Sequence, residues 1–217
     1  MRIGYHCEGH DWLVLHPLTC RLLGIGEDDA GPEIPGMGIR QSWPRLLLRA
    51  HDAVTRFLRL GVDLIVVAAD NDGCPPEGAA EDPAHPRHWV HLADAVQPHA
   101  DCRHCDLLSA TAVAGRSPVV VCVAVEAIEA WLIVARGIWL GNPHDLTAES
   151  RGPGLALKQE LYAASRASRR RIEQRALPLL AALTDVRDIA PHSRSFRMFM
   201  DDIDAAAQVL RSTGVLP

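Results

Sequence analysis

The chain has 217 residues, 48% of them hydrophobic, and a formal net charge of −5, which fits one large domain or a core domain with an extension and excludes disorder as a global state. No apolar stretch approaches the roughly 20 residues that span a bilayer, and the first residues lack the basic and apolar regions of a secretory signal, so a cytoplasmic protein with no membrane partner is expected. In that compartment the six cysteines read as reduced thiols instead of a disulfide framework.

In chain order, residues 1–8 are predicted as a strand and 11–23 as a helix opening near Asp11. Residues 24–38, rich in Gly, Pro and acids, read as a loop. Ser42 as N-cap and Pro44 in the first turn open a helix to about residue 60. Leu46, Leu47, Ala50, Val54, Phe57 and Leu58 form its apolar stripe. Gly61 ends that helix, and 62–69 follow as a buried strand. A loop dense in Pro, Gly and acids occupies 71–87, and a short helix is expected over 88–96. Residues 107–113 suit either strand or helix, while 119–125 form the most apolar strand, introduced by Pro118. Three helices then follow over 155–164, 168–183 and 195–211, the second broken or kinked at Pro178. Strands and helices alternating about continuous apolar runs predict an α/β fold, a parallel sheet flanked by helices over residues 1–140. Residues 141–217 are expected as a helical C-terminal extension packed on that core.

Acidic clusters close each apolar run: Glu8 the first, Asp70 and Asp72 the second, Glu126 and Glu129 the third. In open parallel sheets ligands bind outside the carboxyl ends of the strands, so acids delivered there from separate strands converge on one volume. Such carboxylates repel one another unless something neutralises them, and a divalent cation is the usual answer. Mg²⁺ or Mn²⁺ is therefore the expected cofactor. Asp70 and Asp72, at i and i+2 of an extended segment, face one side and can share it. Phosphoryl-transfer sites use ions held this way to polarise phosphate and activate water. Glu126 and Glu129, at i and i+3, share a face at the start of a helix. Each cluster has a plainer reading: Asp-x-Asp-Gly is ordinary turn chemistry, acids in a first turn complement the helix dipole, and a strand-end Glu is at home in water. Their joint occurrence points to the metal.

Charge is unevenly spread. Residues 151–197 hold ten Arg or Lys against four acids, a balance of +6, whereas 1–150 hold eleven against twenty, a balance of −9. An acidic half beside a basic helical half suits a metal-dependent enzyme on nucleic acid, although charge runs also simply solvate helix faces. Arg40, after a Gly-rich segment, is placed to reach a phosphate, and Arg169, Arg170 and Arg171 point in three directions round a helix. His6 and His10 flank Glu8 and are either structural or proton-transfer groups. Cys102 and Cys105 supply two of the four ligands zinc requires, so a loop with reduced thiols is preferred over a Zn²⁺ site.

The stretch Tyr5-His6-Cys7-Glu8-Gly9-His10-Asp11 resembles the V-E-G-x-[ST]-[DE] opening of TOPRIM domains, departing from it at His10-Asp11, and Val66 to Asp72 resembles their D-x-D strand end. Val125-Glu126-Ala127-Ile128-Glu129-Ala130-Trp131-Leu132 is similar to the E-x-x-E-A-W-L segment of a family of TOPRIM-like bacterial proteins of unassigned function. Ser193-Arg194-Ser195-Phe196-Arg197-Met198-Phe199 is similar to that family's S-P-S-F-x-x-F signature, and Lys158 falls where the family tends to place a lysine. The resemblance implies a TOPRIM-like, Rossmann-like metal-binding core, often found beside an AAA-type ATPase in bacterial defence loci. By carry-over, Glu8 is general acid/base or second metal ligand, Asp70 and Asp72 hold Mg²⁺, and Glu126 with Glu129 complete the shell.

The expected function is a Mg²⁺- or Mn²⁺-dependent TOPRIM-like nuclease serving anti-phage defence, with Glu8, Asp70 and Asp72 as catalytic core. Arg40, Lys158, Arg169, Arg170, Arg194 and Arg197 would contact DNA or RNA. The alternatives are a non-catalytic accessory subunit docking on an AAA-type ATPase, or an enzyme of a small phosphorylated metabolite.

Overall fold

The computed structural model describes residues 1–33, 43–70, 93–96, 118–124, 127–151 and 154–217. Arg2–Cys7 (β1), Gly31–Glu33 (β2), Leu64–Asp70 (β3) and Val119–Ala124 (β4) form one all-parallel sheet in the order β2-β1-β3-β4. β3 is buried from end to end, because helices cover both faces of the sheet. That is why its sequence is a continuous apolar run instead of an alternation.

Successive residues of the strands serve two cores. Ile3, Tyr5, Val66 and Cys122 face the larger one, under Trp12–Leu23 (α1), Ile128–Leu140 (α3) and the C-terminal helices. Ile65, Val67 and Val123 face the smaller one, under Trp43–Arg59 (α2), which brings Leu46, Ala50, Val54 and Phe57 at helical spacing. Gly4 lets α2 approach β1 closely, since a Cβ there would stand 2.8 Å from the Phe57 ring.

The 24–38 segment, expected as a loop, contributes β2, whose Gly31 to Glu33 pair with Arg2 to Gly4. Gly-Pro-Glu has no apolar alternation to announce a strand. The open edge of β1 creates it, and an edge is where proline is tolerated.

The remaining helices are Gly154–Tyr162 (α4), Arg169–Arg171 (α5), Leu177–Ala182 (α6) and Arg194–Ser212 (α7). A π-turn over Ile172–Ala176 joins α5 to α6. Pro178 stands in the first turn of α6, directly after that π-turn. The C-terminal helices pack on the same core as the sheet. Trp131 of α3 is fully buried, donates through Nε1 to Ser195 Oγ at 2.9 Å, and stacks on Phe199 with centroids 5.6 Å apart. Ser193 caps α7 by accepting from the Phe196 N–H at 3.1 Å. The Glu-Ala-Trp-Leu and Ser-Phe segments are thus one packing unit. Among the described residues no helix is long and apolar enough to cross a membrane.

The strand order decides where a ligand can bind. The chain leaves β1 for β2 on one side and returns to β3 on the other, which opens a crevice beyond the carboxyl ends of β1 and β3. Glu8 follows β1 and Asp70 ends β3.

Candidate functional site

At the end of β1 the chain turns sharply through Glu8-Gly9-His10-Asp11, with the Asp11 N–H donating to Glu8 O at 3.1 Å. Gly9 takes φ +50°, the left-handed region that glycine enters at no steric cost. Asp11 then occupies the N-cap of α1, yet its side chain accepts no capping hydrogen bond. Burial, together with the neighbouring charges of Asp70, Glu129 and Glu8, holds the Asp11 carboxyl well above the usual range, with Lys158 opposing. Local sequence marks Asp11 only as a helix start, and in the V-E-G-x-[ST]-[DE] pattern it falls on the [ST] position, so no acid is signalled there.

Asp70, buried at the end of β3, has both oxygens engaged. Oδ1 accepts from the Ile128 N–H at 3.0 Å, and Oδ2 accepts from Lys158 Nζ at 2.8 Å. The same ammonium lies 3.8 Å from Oε2 of Glu129, which is fully buried in the first turn of α3. Burial works against the charge on Lys158, but Asp70 and Glu129 more than offset it and hold its pKa above that of an ordinary lysine. Lys158, expected among the nucleic-acid contacts, therefore reaches into the carboxylates.

An ion-pair network puts it there. Arg136 of α3 donates to both oxygens of buried Asp145, at 2.7 and 3.1 Å, and also pairs with Glu160 of α4. Arg151 reaches Glu160 at 3.5 Å. These contacts clamp α4 to α3, so that Lys158, two residues before Glu160, faces Asp70. Gly137 leaves room for the clamp, since a Cβ there would stand 2.6 Å from Asp145 Cβ.

Other predicted groups lie elsewhere. His6 is buried on the α2 side, its Nε2 donating to Leu46 O at 2.9 Å, and burial lowers its pKa. It ties β1 to α2. Arg197 donates to Ala190 O at 3.1 Å, and Arg169 is exposed in an i,i+4 pair with Glu173. Arg170 and Arg194 are exposed on the C-terminal helices. Asp72, Glu126, Arg40, Cys102, Cys105, the 71–87 loop and the 107–113 segment lie outside the described residues, as does most of the 88–96 helix.

Beneath Asp11 and Asp70 a cavity lined by Leu15, Cys122 and Trp131 has room for about one water.

Two observations bear on a cation. Among the described residues no three His, Cys, Asp or Glu groups stand close enough to share one ion. The donors present nevertheless suit a hard cation, being all carboxylate oxygen.

Comparison with protein-family models, with curated proteins and with solved structures finds no match.

Proposed function

We propose that this crevice hydrolyses phosphodiester bonds in nucleic acid with a divalent cation held by Asp70, Asp72, Glu126, Glu129 and Glu8, as expected for a TOPRIM-like nuclease of a defence system. One observation carries the reading. Asp70, Glu129, Asp11 and Lys158, from β3, α3, α1 and α4, are drawn into one electrostatic cluster outside the strand ends where α/β sheets bind ligands. When bound, Mg²⁺ or Mn²⁺ would polarise the phosphate and acidify a water. Glu8 is placed to accept the proton of the attacking water as the new P–O bond forms. Asp11, whose carboxyl is held well above the usual range by burial and the neighbouring carboxylates, can return a proton to the leaving oxygen as the old P–O bond breaks. Lys158 offsets the charge that the phosphate brings.

The test is cleavage of plasmid DNA and total RNA with Mg²⁺ or Mn²⁺, beside EDTA and Asp70→Asn controls. Asn keeps the shape of the side chain, and its folding is verified by Tm. Cleavage abolished in both controls is the expected outcome, a loss of about 100-fold or more for the variant. No cleavage together with no calorimetric heat of cation binding would refute it.

One feature favours a second reading. Lys158 already pairs with Asp70 and Glu129, which a non-catalytic accessory subunit would need for folding alone. In that case neither cation binding nor cleavage is found, and Asp70→Asn changes only stability.

A further inference from the structure

The outer face of α2 carries a line of like charge. Arg45, Arg49, Arg56 and Arg59 are all exposed, and helical geometry sets them within about 80° of one another along about 21 Å of the helix. Asp52 is the one acid in α2, although this helix lies in the acidic part of the chain. A face that only meets water ordinarily mixes signs at i,i+3 and i,i+4. Here Arg45 and Arg49 stand at i,i+4 and Arg56 and Arg59 at i,i+3, spacings at which like charges work against the helix. Arg45 also lies in a first turn that holds no acid, where the helix dipole opposes positive charge. A polyanion laid along this face relieves all three.

Packing fixes where the line leads. His6 meets the Leu46 carbonyl at 2.9 Å, Gly4 abuts Phe57, and Arg2 donates to the carbonyls of Leu60 and Gly61. α2 therefore runs antiparallel to β1, with Arg45 at the end of the sheet where Glu8 and Asp70 lie. The opposite face of α2 is occupied, since Leu46, Ala50, Val54 and Phe57 are buried in the smaller core. It leaves no apolar face to enter a bilayer, as an interfacial helix must.

We propose that α2 is a nucleic-acid docking surface, its four arginines following the phosphates of one strand toward the crevice. The inference rests on the phosphodiester reading above for the identity of the polyanion, and adds the surface that leads it in. Each guanidinium donates to non-bridging phosphate oxygens, so the contact is to the backbone and carries no base sequence.

Fluorescence anisotropy of the full-length protein with labelled single-stranded and duplex oligonucleotides tests it, at several salt concentrations and in EDTA so that binding is read without cleavage. Arg45→Gln and Arg56→Gln should each reduce the slope of log affinity against log salt by about 1, and the double variant by about 2, at unchanged Tm. Arg211→Gln, which removes the same charge from the last turn of α7, should leave the slope as it is. Slopes of the α2 variants equal to that of the parent, or reduced no more than by Arg211→Gln, overturn the inference. A parent protein that binds no oligonucleotide overturns it too, and its binding to phosphatidylserine vesicles instead would assign the face to a membrane. Reduced slopes with a parent that cleaves nothing in Mg²⁺ or Mn²⁺ retain the docking surface and remove the nuclease. Cleavage with unaltered slopes retains the nuclease and removes α2 from the path of its substrate.

Discussion

Asp11 shows how one side chain exchanges a local role for a distant one. A capping aspartate ordinarily accepts from backbone N–H groups, which favours its ionised form. Here it makes no capping bond and faces other carboxylates, so its pKa rises on folding. The sign of the pH dependence follows. Between the unfolded value of about 4 and the higher folded value, the native state binds more protons than the unfolded one, so stability falls as pH rises through that window. Asp11→Asn, compared with the parent protein in EDTA, is expected to raise Tm by about 2–4 °C at neutral pH. The gain should vanish below pH of about 4. A gain independent of pH would show that the carboxyl is not held protonated. The contrast with Asp145 is instructive, since the guanidinium of Arg136 holds that carboxyl below its usual range despite burial. Partner charge, and not burial alone, separates the two.

Among elements, α4 links fold to site. Its outer side is clamped through Glu160 to Arg136 and Arg151, and Lys158 and Tyr162 point the other way. Replacing Lys158 by Met keeps the apolar stem and removes only the charge. The loss removes the ammonium that Asp70 and Glu129 share, and is expected to cost about 3 kcal/mol in urea denaturation. Added Mn²⁺ should restore part of that stability in Lys158→Met, and more than it adds to the parent protein, because a cation can then offset the same carboxylates. An identical loss with and without Mn²⁺ would show that lysine alone balances them.

On the scale of the whole molecule, charge separates into an acidic crevice and a basic C-terminal surface. Not every arginine there is available to a ligand. Arg169 is paired with Glu173 and Arg197 with the Ala190 carbonyl, whereas Arg170 is exposed on α5. If the basic surface tracks a phosphate backbone, affinity falls linearly on a log–log plot against salt. Arg170→Gln should then reduce that slope by about 1, and Arg169→Gln by less, because Glu173 already competes for its charge. Fluorescence anisotropy with labelled single-stranded and duplex DNA and RNA, at several salt concentrations, measures both slopes. Equal slopes for all three proteins would remove α5 from the interface.

Much of this architecture was legible in the chain. β3 and β4 announced themselves as continuous apolar runs, because a parallel strand covered on both faces has no polar side. Glu8 and Asp70 were legible as strand-end acids, since covalent order alone puts them there, and Trp131 and Phe196 were marked by the segments they belong to. Such features follow from backbone periodicity and nearest neighbours, which a sequence carries directly. Three others were decided only by the tertiary structure. β2 exists because β1 has an open edge; the Asp11 carboxyl is raised because it is buried and Asp70 and Glu129 arrive beside it; and Lys158 meets Asp70 across 88 residues of chain. That last meeting depends on which of 22 basic and 27 acidic residues pair. The α3–α4 clamp selects among them by geometry, at distances over which no local pattern reaches.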